Sequence, residues 1–191
     1  MVLAGGAAAG RQGRSSGPAT VAIVDVTKVM KALKEFDDRN NEFVARGAII
    51  ERSLKELDDK IKQAEGELRN TIPPSDLKRR AEKYRELTEN RALLQARTKG
   101  YEQLMEIEQG EVIHVLYTKV LDTVANLARK EGLDLVLSDD RSVMTEPNTS
   151  FADNRRRMEG RQILFAADAL SLTDRVSAVM NNDYAAGAGK P

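Results

Sequence analysis

The chain has 191 residues, enough for one domain or for a small domain carrying one long extension. Thirty Lys and Arg balance thirty Asp and Glu, so no global field draws it to nucleic acid or to anionic lipid, and an electrostatic partner has to be met by a local patch. Cys is absent, which excludes disulfides, zinc–cysteine sites, iron–sulfur clusters and thiol nucleophiles. Trp is also absent, Phe and Tyr number four each, and 31% of residues are charged, a balance that suits a long solvated helix better than a globular core.

No run of about 18 apolar residues is present to cross a membrane as a helix. Residues 1–20 read as a disordered leader or signal remnant, since the small-residue run from Ala4 to Gly10 resembles a cleavage region. The first structured segment is the β-branched run Val21 to Val26, a strand. From Thr27 to about Asn70 a heptad register places Leu33, Asn40, Gly47, Leu54, Ile61 and Leu68 at one core position. Phe36, Phe43, Ile50, Leu57 and Ala64 fill the other. Asn40 and Gly47 loosen this coiled-coil helix along its first half. Pro73 and Pro74 stop it, Ser75 or Asp76 caps the next helix, and the chain turns back.

The second helix runs from Leu77 to about Lys130, with a seam at Leu77, Tyr84, Leu87, Leu94, Thr98, Tyr101 and Met105. Two long helices joined by a short loop form an antiparallel hairpin. Beyond Met105 the stripe widens through Val112, Ile113, Leu116, Val120, Leu121, Val124 and Leu127, more than two helices need, and Gly132 closes the helix. Strands are expected at Leu133 to Leu137, Ser142 to Met144 and Ile163 to Ala166, with an exposed polar loop from Thr145 to Gln162. A last short helix begins near Leu172 and dissolves at Asn181-Asn182, before a disordered tail.

The fold class expected is α+β, mainly α. A long antiparallel coiled-coil hairpin, residues 28–111 with its tip near 70–76, projects from a small β-rich body of residues 21–27 and 112–181, and residues 182–191 form the tail. So small a body cannot bury its strands and the wide stripe alone, and a closed homo-oligomer supplies the missing surface. Its candidate residues are Val21, Ile23, Val24, Val112, Ile113, Leu116, Val120, Leu135 and Leu137.

No catalytic, cofactor or metal constellation emerges. His114 is the lone histidine, and Gly5, Gly6 and Gly10 lack the Lys-Ser or Lys-Thr of a phosphate loop. Asp139-Asp140 suits a turn that bonds its own backbone, and Asn148-Thr149-Ser150 matches a glycosylation acceptor only as a chance triplet. Around the tip, Arg69, Lys78, Arg79, Arg80, Lys83 and Arg85 face only Asp76 and Glu82. This basic tip suits an acidic client, anionic lipid or lipopolysaccharide; neither it nor Arg155-Arg156-Arg157 is interleaved with the aromatics that stack on nucleic acid.

The order of parts resembles the Skp/OmpH family of periplasmic chaperones for outer-membrane proteins. The segments that carry the likeness are VAIVDVTKVM, LARKEGLDLVLSDDRSVM and SLTDRVSAVMN, over about residues 21–181. The resemblance implies a jellyfish-like homotrimer whose helical tentacles enclose a cavity. There unfolded outer-membrane or envelope proteins would be held in the periplasm without ATP or other cofactor. Client contacts are then expected at apolar positions off the seam, Val44, Ile49, Leu93, Leu104 and Ile107, with Ile72, Pro73, Pro74, Arg79 and Arg80 as contacts at the tip. The alternative is a structural coiled-coil scaffold or spacer of the envelope that binds a folded partner through the tip.

Overall fold

A computed structural model describes residues 18–187. Most of the expected leader and the last four residues of the expected tail lie outside the described residues.

Strand β1 (Val21–Val24) is the middle of the small sheet. On one edge it pairs in parallel with β2 (Leu135–Ser138), Val21 opposite Leu135 and Val24 opposite Ser138. On the other a parallel bridge joins Ile23 to Ser171, and the Leu172 amide donates to the Ile23 carbonyl at 2.9 Å. Covered on both edges, β1 keeps its apolar run buried. It ends two residues before the expected Val26 because Asp25 turns to cap a helix: its carboxylate accepts from the Lys28 amide at 2.9 Å.

The first helix is broken near its start. Helix α1 (Val26–Lys31) is followed by Leu33 in extended backbone, φ −82° and ψ 123°, and α2 (Lys34–Gly66) begins anew. Leu33, 1% exposed, is drawn into the body, which explains the interruption. Beyond it the heptad reading holds, with Leu57, Ile61, Ala64 and Leu68 buried and Asn40 exposed. A π-helical turn (Glu67–Thr71) carries the chain into the tip, and α3 (Leu77–Glu131) returns. Asp76 caps α3 by accepting from the Arg79 amide at 3.1 Å, and Gly132 ends it in the left-handed conformation, φ 68°. Leu77 and Tyr84 lie on the exposed side of α3, not on the seam. Half-buried Arg80 and Lys83 take the inner face there, because Arg80 is drawn in by backbone carbonyls of the tip.

Among the described residues most of the buried apolar side chains fall into two separate clusters. At the base, β1, α1 and the end of α3 close around Val29, Leu116 and Val120. The last helix, α5 (Thr173–Ala185), completes this core with Val176 and Met180. Near the tip Ile61, Ala64, Leu68, Ile72 and Leu87 form the other cluster. Between them no residue of 36–56 or 88–115 is buried.

The segment between β2 and α5 departs most from expectation. Neither 142–144 nor 163–166 is a strand. The two stretches lie side by side but are joined through side chains: Asp140 accepts from the Gln162 and Ile163 amides, Arg161 donates to the Arg141 carbonyl, and Arg141 donates to the Ala166 carbonyl. The supposed loop contains α4 (Phe151–Gly160), whose cap is local, with Ser150 Oγ accepting from the Asp153 amide at 3.1 Å. Helix α5 also runs past Asn181-Asn182 to Ala185, because Asn181 is held by the base of the hairpin.

Candidate functional site

The middle of the hairpin is a long two-helix surface with little between its halves. All five off-seam residues, Val44 and Ile49 on α2 and Leu93, Leu104 and Ile107 on α3, lie within the stretch that buries nothing. All are exposed, Ile49 by 67% and Ile107 by 69%. A cavity of about 190 Å³, lined by Phe36, Asn40, Phe43, Gln109, Val112 and Ile113, opens between the helices at its lower end. A Cβ placed on Gly47 would sit 3.7 Å from the Met105 methyl, so the helices stay in ordinary contact there without interlocking.

Ion pairs frame this stretch. Below it, Glu35 is buried and accepts from Lys119 Nζ with both oxygens at 2.8 Å, and from Arg39 Nε and Nη2 at 3.0 and 2.8 Å. Across the hairpin, Arg46 meets Glu108 at 3.3 Å, Arg91 meets Glu65 at 2.6 Å and Lys83 meets Glu67 at 3.1 Å. Hydrogen bonds to Glu86 and Glu67 hold Lys83 above the usual lysine range, and Lys83 in turn keeps the Glu67 carboxyl below its own.

At the tip the expected contacts separate. Ile72 is buried in the distal core, and Arg80 donates to the Leu68 and Ile72 carbonyls at 2.8 and 3.0 Å, with its guanidinium 5.7 Å from the Tyr84 ring centre. Both side chains are thus engaged within the tip itself. Pro73, Pro74 and Arg79 are exposed, as are Arg69, Lys78 and Arg85, and Leu77 stands 76% exposed among them.

The oligomerisation candidates divide as well. Ile23, Val24, Leu116 and Val120 are enclosed in the chain's own core, and Val21 and Val112 are half-buried. Ile113, Leu135 and Leu137 are exposed. Sequence reasoning did not anticipate how much apolar surface 143–165 leaves open: Val143, Met144, Phe151, Met158, Leu164 and Phe165 are all exposed, Phe165 by 85%. For Val143, Met144, Leu164 and Phe165 the signal was available, since their runs were read as strands and a strand without a partner in its own chain stays uncovered; Phe151 and Met158 fell in the stretch read as a polar loop. The long-range role of Asp140 was also missed; Asp139 behaves as read, accepting from the Arg141 amide at 3.1 Å. His114 is an exposed helix residue, and among the described residues no acidic, His or Cys group is arranged to hold a metal. No helix among them is long and apolar enough to cross a membrane.

The chain also has recognisable relatives. No curated protein matches it significantly. Among solved structures, an OmpH-like protein from Caulobacter crescentus CB15, described as a candidate outer membrane chaperone, superposes with a TM-score of 0.60 at 14% identity, covering 87% of each chain. That likeness is one of fold: long helices on a small sheet. The family model described as Outer membrane protein (OmpH-like) matches residues 20–180, which take in the sheet, the hairpin and the first eight residues of α5, and the chain belongs to this OmpH-like family.

Proposed function

We propose that this protein is an ATP-independent holding chaperone of the periplasm that keeps unfolded outer-membrane or envelope proteins from aggregating. The observation that carries the reading is the coincidence of Val44, Ile49, Leu93, Leu104 and Ile107, all exposed, with the part of the hairpin that has no buried core. A helical pair that spends its apolar residues outward offers them to something else.

An unfolded membrane β-strand exposes an apolar residue at every second position. Covering one exposed Ile or Leu of the hairpin stabilises the complex by about 1–2 kcal/mol, much of it offset by ordering the client. Single contacts are thus weak, several together hold, and a client that folds elsewhere withdraws its apolar residues and leaves. Binding the unfolded state alone shifts the balance away from aggregation and needs no fuel. The reaction is one of binding, without a catalytic group or cofactor.

The holder in this proposal is a homotrimer in which the exposed Ile113, Leu135, Leu137, Val143, Leu164 and Phe165 are covered by neighbouring copies. Ile23, Val24, Leu116 and Val120 support that surface from beneath. The exposed Leu77, on a tip region that also exposes Arg69, Lys78, Arg79 and Arg85, favours a further contact of the tip with an anionic lipid or lipopolysaccharide surface. The scaffold alternative would use the same tip for a folded partner. Changing Ile49, Leu93 and Leu104 together to Ser separates the two: client holding is lost if the hairpin face is the site, and is untouched if the tip is.

A further inference from the structure

We infer that α5 is a brace on the root of the hairpin, and that Asn181 and Tyr184 are positioning residues that confine bending of the hairpin to its uncored middle. The break between α1 and α2 leaves two backbone groups without helical partners, the Ala32 carbonyl and the Lys34 amide, and Leu33 has no side chain able to cap α2. The Asn181 amide serves both: its oxygen accepts from the Lys34 amide at 2.8 Å and its nitrogen donates to the Ala32 carbonyl at 2.9 Å. One turn further on, the Tyr184 hydroxyl donates to Asp38 at 3.0 Å. These residues come from almost 150 positions away in the chain.

The brace is itself anchored. At its N-terminal end Thr173 Oγ1 accepts from the Asp25 amide at 3.0 Å, and Arg175 is paired with Glu131 at the end of α3. Val176 and Met180 pack into the base core between those two ends. Helix α5 is therefore tied to β1 and α3 at one end and grips α2 at the other, so the first turns of α2 cannot leave α3 without breaking its contacts. Above Asp38 the helices are linked by surface ion pairs, Arg46 with Glu108 and Arg91 with Glu65, and not by a buried brace: the cavity around Phe43 and Val112 opens there, followed by Gly47, Gly100 and Gly110 and the stretch without buried residues. The brace thus sets the point where the hairpin begins to flex.

The consequence for clients rests on the chaperone reading, whereas the positioning does not. The absence of cysteine permits clean labelling. Spin labels at Asn41→Cys, one turn above Asp38 on α2, and Lys130→Cys at the end of α3, in full-length chain diluted with unlabelled chain, report the angle at the root. Asn181→Ala is expected to broaden this distance distribution and to speed exchange of the Lys34 amide about tenfold, the effect of losing one hydrogen bond. Tyr184→Phe should broaden the distribution less, and helix content should stay at the wild-type level in both. Holding of an unfolded eight-stranded barrel relative to a sixteen-stranded one should shift in Asn181→Ala, which a loss of stability alone would not produce. Wild-type distributions together with wild-type Lys34 exchange in both variants would overturn the brace. Broadened distributions in a protein that holds no client would support the brace and overturn the chaperone reading.

Discussion

Asp25, which directly follows β1 and caps α1, ties several parts of the body together. Its carboxylate caps α1 at the Lys28 amide, 2.9 Å, accepts from Ser142 Oγ at 3.1 Å and lies 3.4 Å from Lys28 Nζ, while the residue is 3% exposed. Replacing it by Ala removes the cap and leaves a part-buried amide without its acceptor; the lost cap and the Ser142 bond together cost about 2–3 kcal/mol. The ion pair adds little, because Lys28 stays largely in water. Asp25→Asn keeps an oxygen for the Lys28 amide and gives up only the charge near the helix N-terminus, so its cost is about 1 kcal/mol. Urea unfolding followed by far-ultraviolet circular dichroism, at one fixed protein concentration, measures both. A loss below about 1 kcal/mol for Asp25→Ala, against a cap's usual worth, or an equal loss for Asp25→Asn, would refute the reasoning that the cap and not the charge is what matters.

Other expectations follow from the two separate cores and the side-chain ties. Leu116→Ala, at a fully buried base position, should cost about 2–5 kcal/mol in the same assay, whereas Ile49→Ser should stay within about 0.5 kcal/mol because its site is already in water. Arg80→Ala should leave the base unchanged and speed amide exchange across 68–72, since two tip carbonyls lose their donor; unchanged exchange there would count against its structural role. The Arg141 side chain holds the Asp139 carboxyl below its ordinary 3.8, and the Gln162 and Ile163 amides do the same for Asp140. A lowered folded-state value stabilises fully above 3.8 and is lost as pH falls through it. The 139–166 segment should therefore loosen on acidification, seen as loss of the folded shifts of the Gln162 and Ile163 amides in NMR, and Asp140→Asn should abolish that acid step.

How much was legible depended on whether a residue's partner was near in sequence. The heptad from Leu54 to Leu68 fixed the inner face of α2, and Asp76 and Gly132 bounded α3, because periodicity and caps are written within one or two turns. The exposure of Val44, Ile49, Leu93, Leu104 and Ile107 off the seam was legible for the same reason. The break at Leu33 was not, since the local pattern is helical and only the distant Asn181 satisfies the interrupted backbone. Likewise Ile163 to Ala166 has a strand's composition, but Asp140, Arg141 and Arg161 take its backbone groups, and among the described residues no strand pairs with it. Helix α4 could have been found from Ser150 and Asp153; its polar composition hid it.

The central claim is that exposed residues of the uncored hairpin hold unfolded clients. Its most direct test is light scattering of an unfolded outer-membrane β-barrel protein diluted from urea, without ATP, in the presence of this protein, with the holder's mass determined alongside. The account expects aggregation to be suppressed by a particle of three chains, and suppression to disappear when Ile49, Leu93 and Leu104 are changed to Ser in a protein that keeps its fold. Full aggregation in the presence of the folded wild-type oligomer would contradict it.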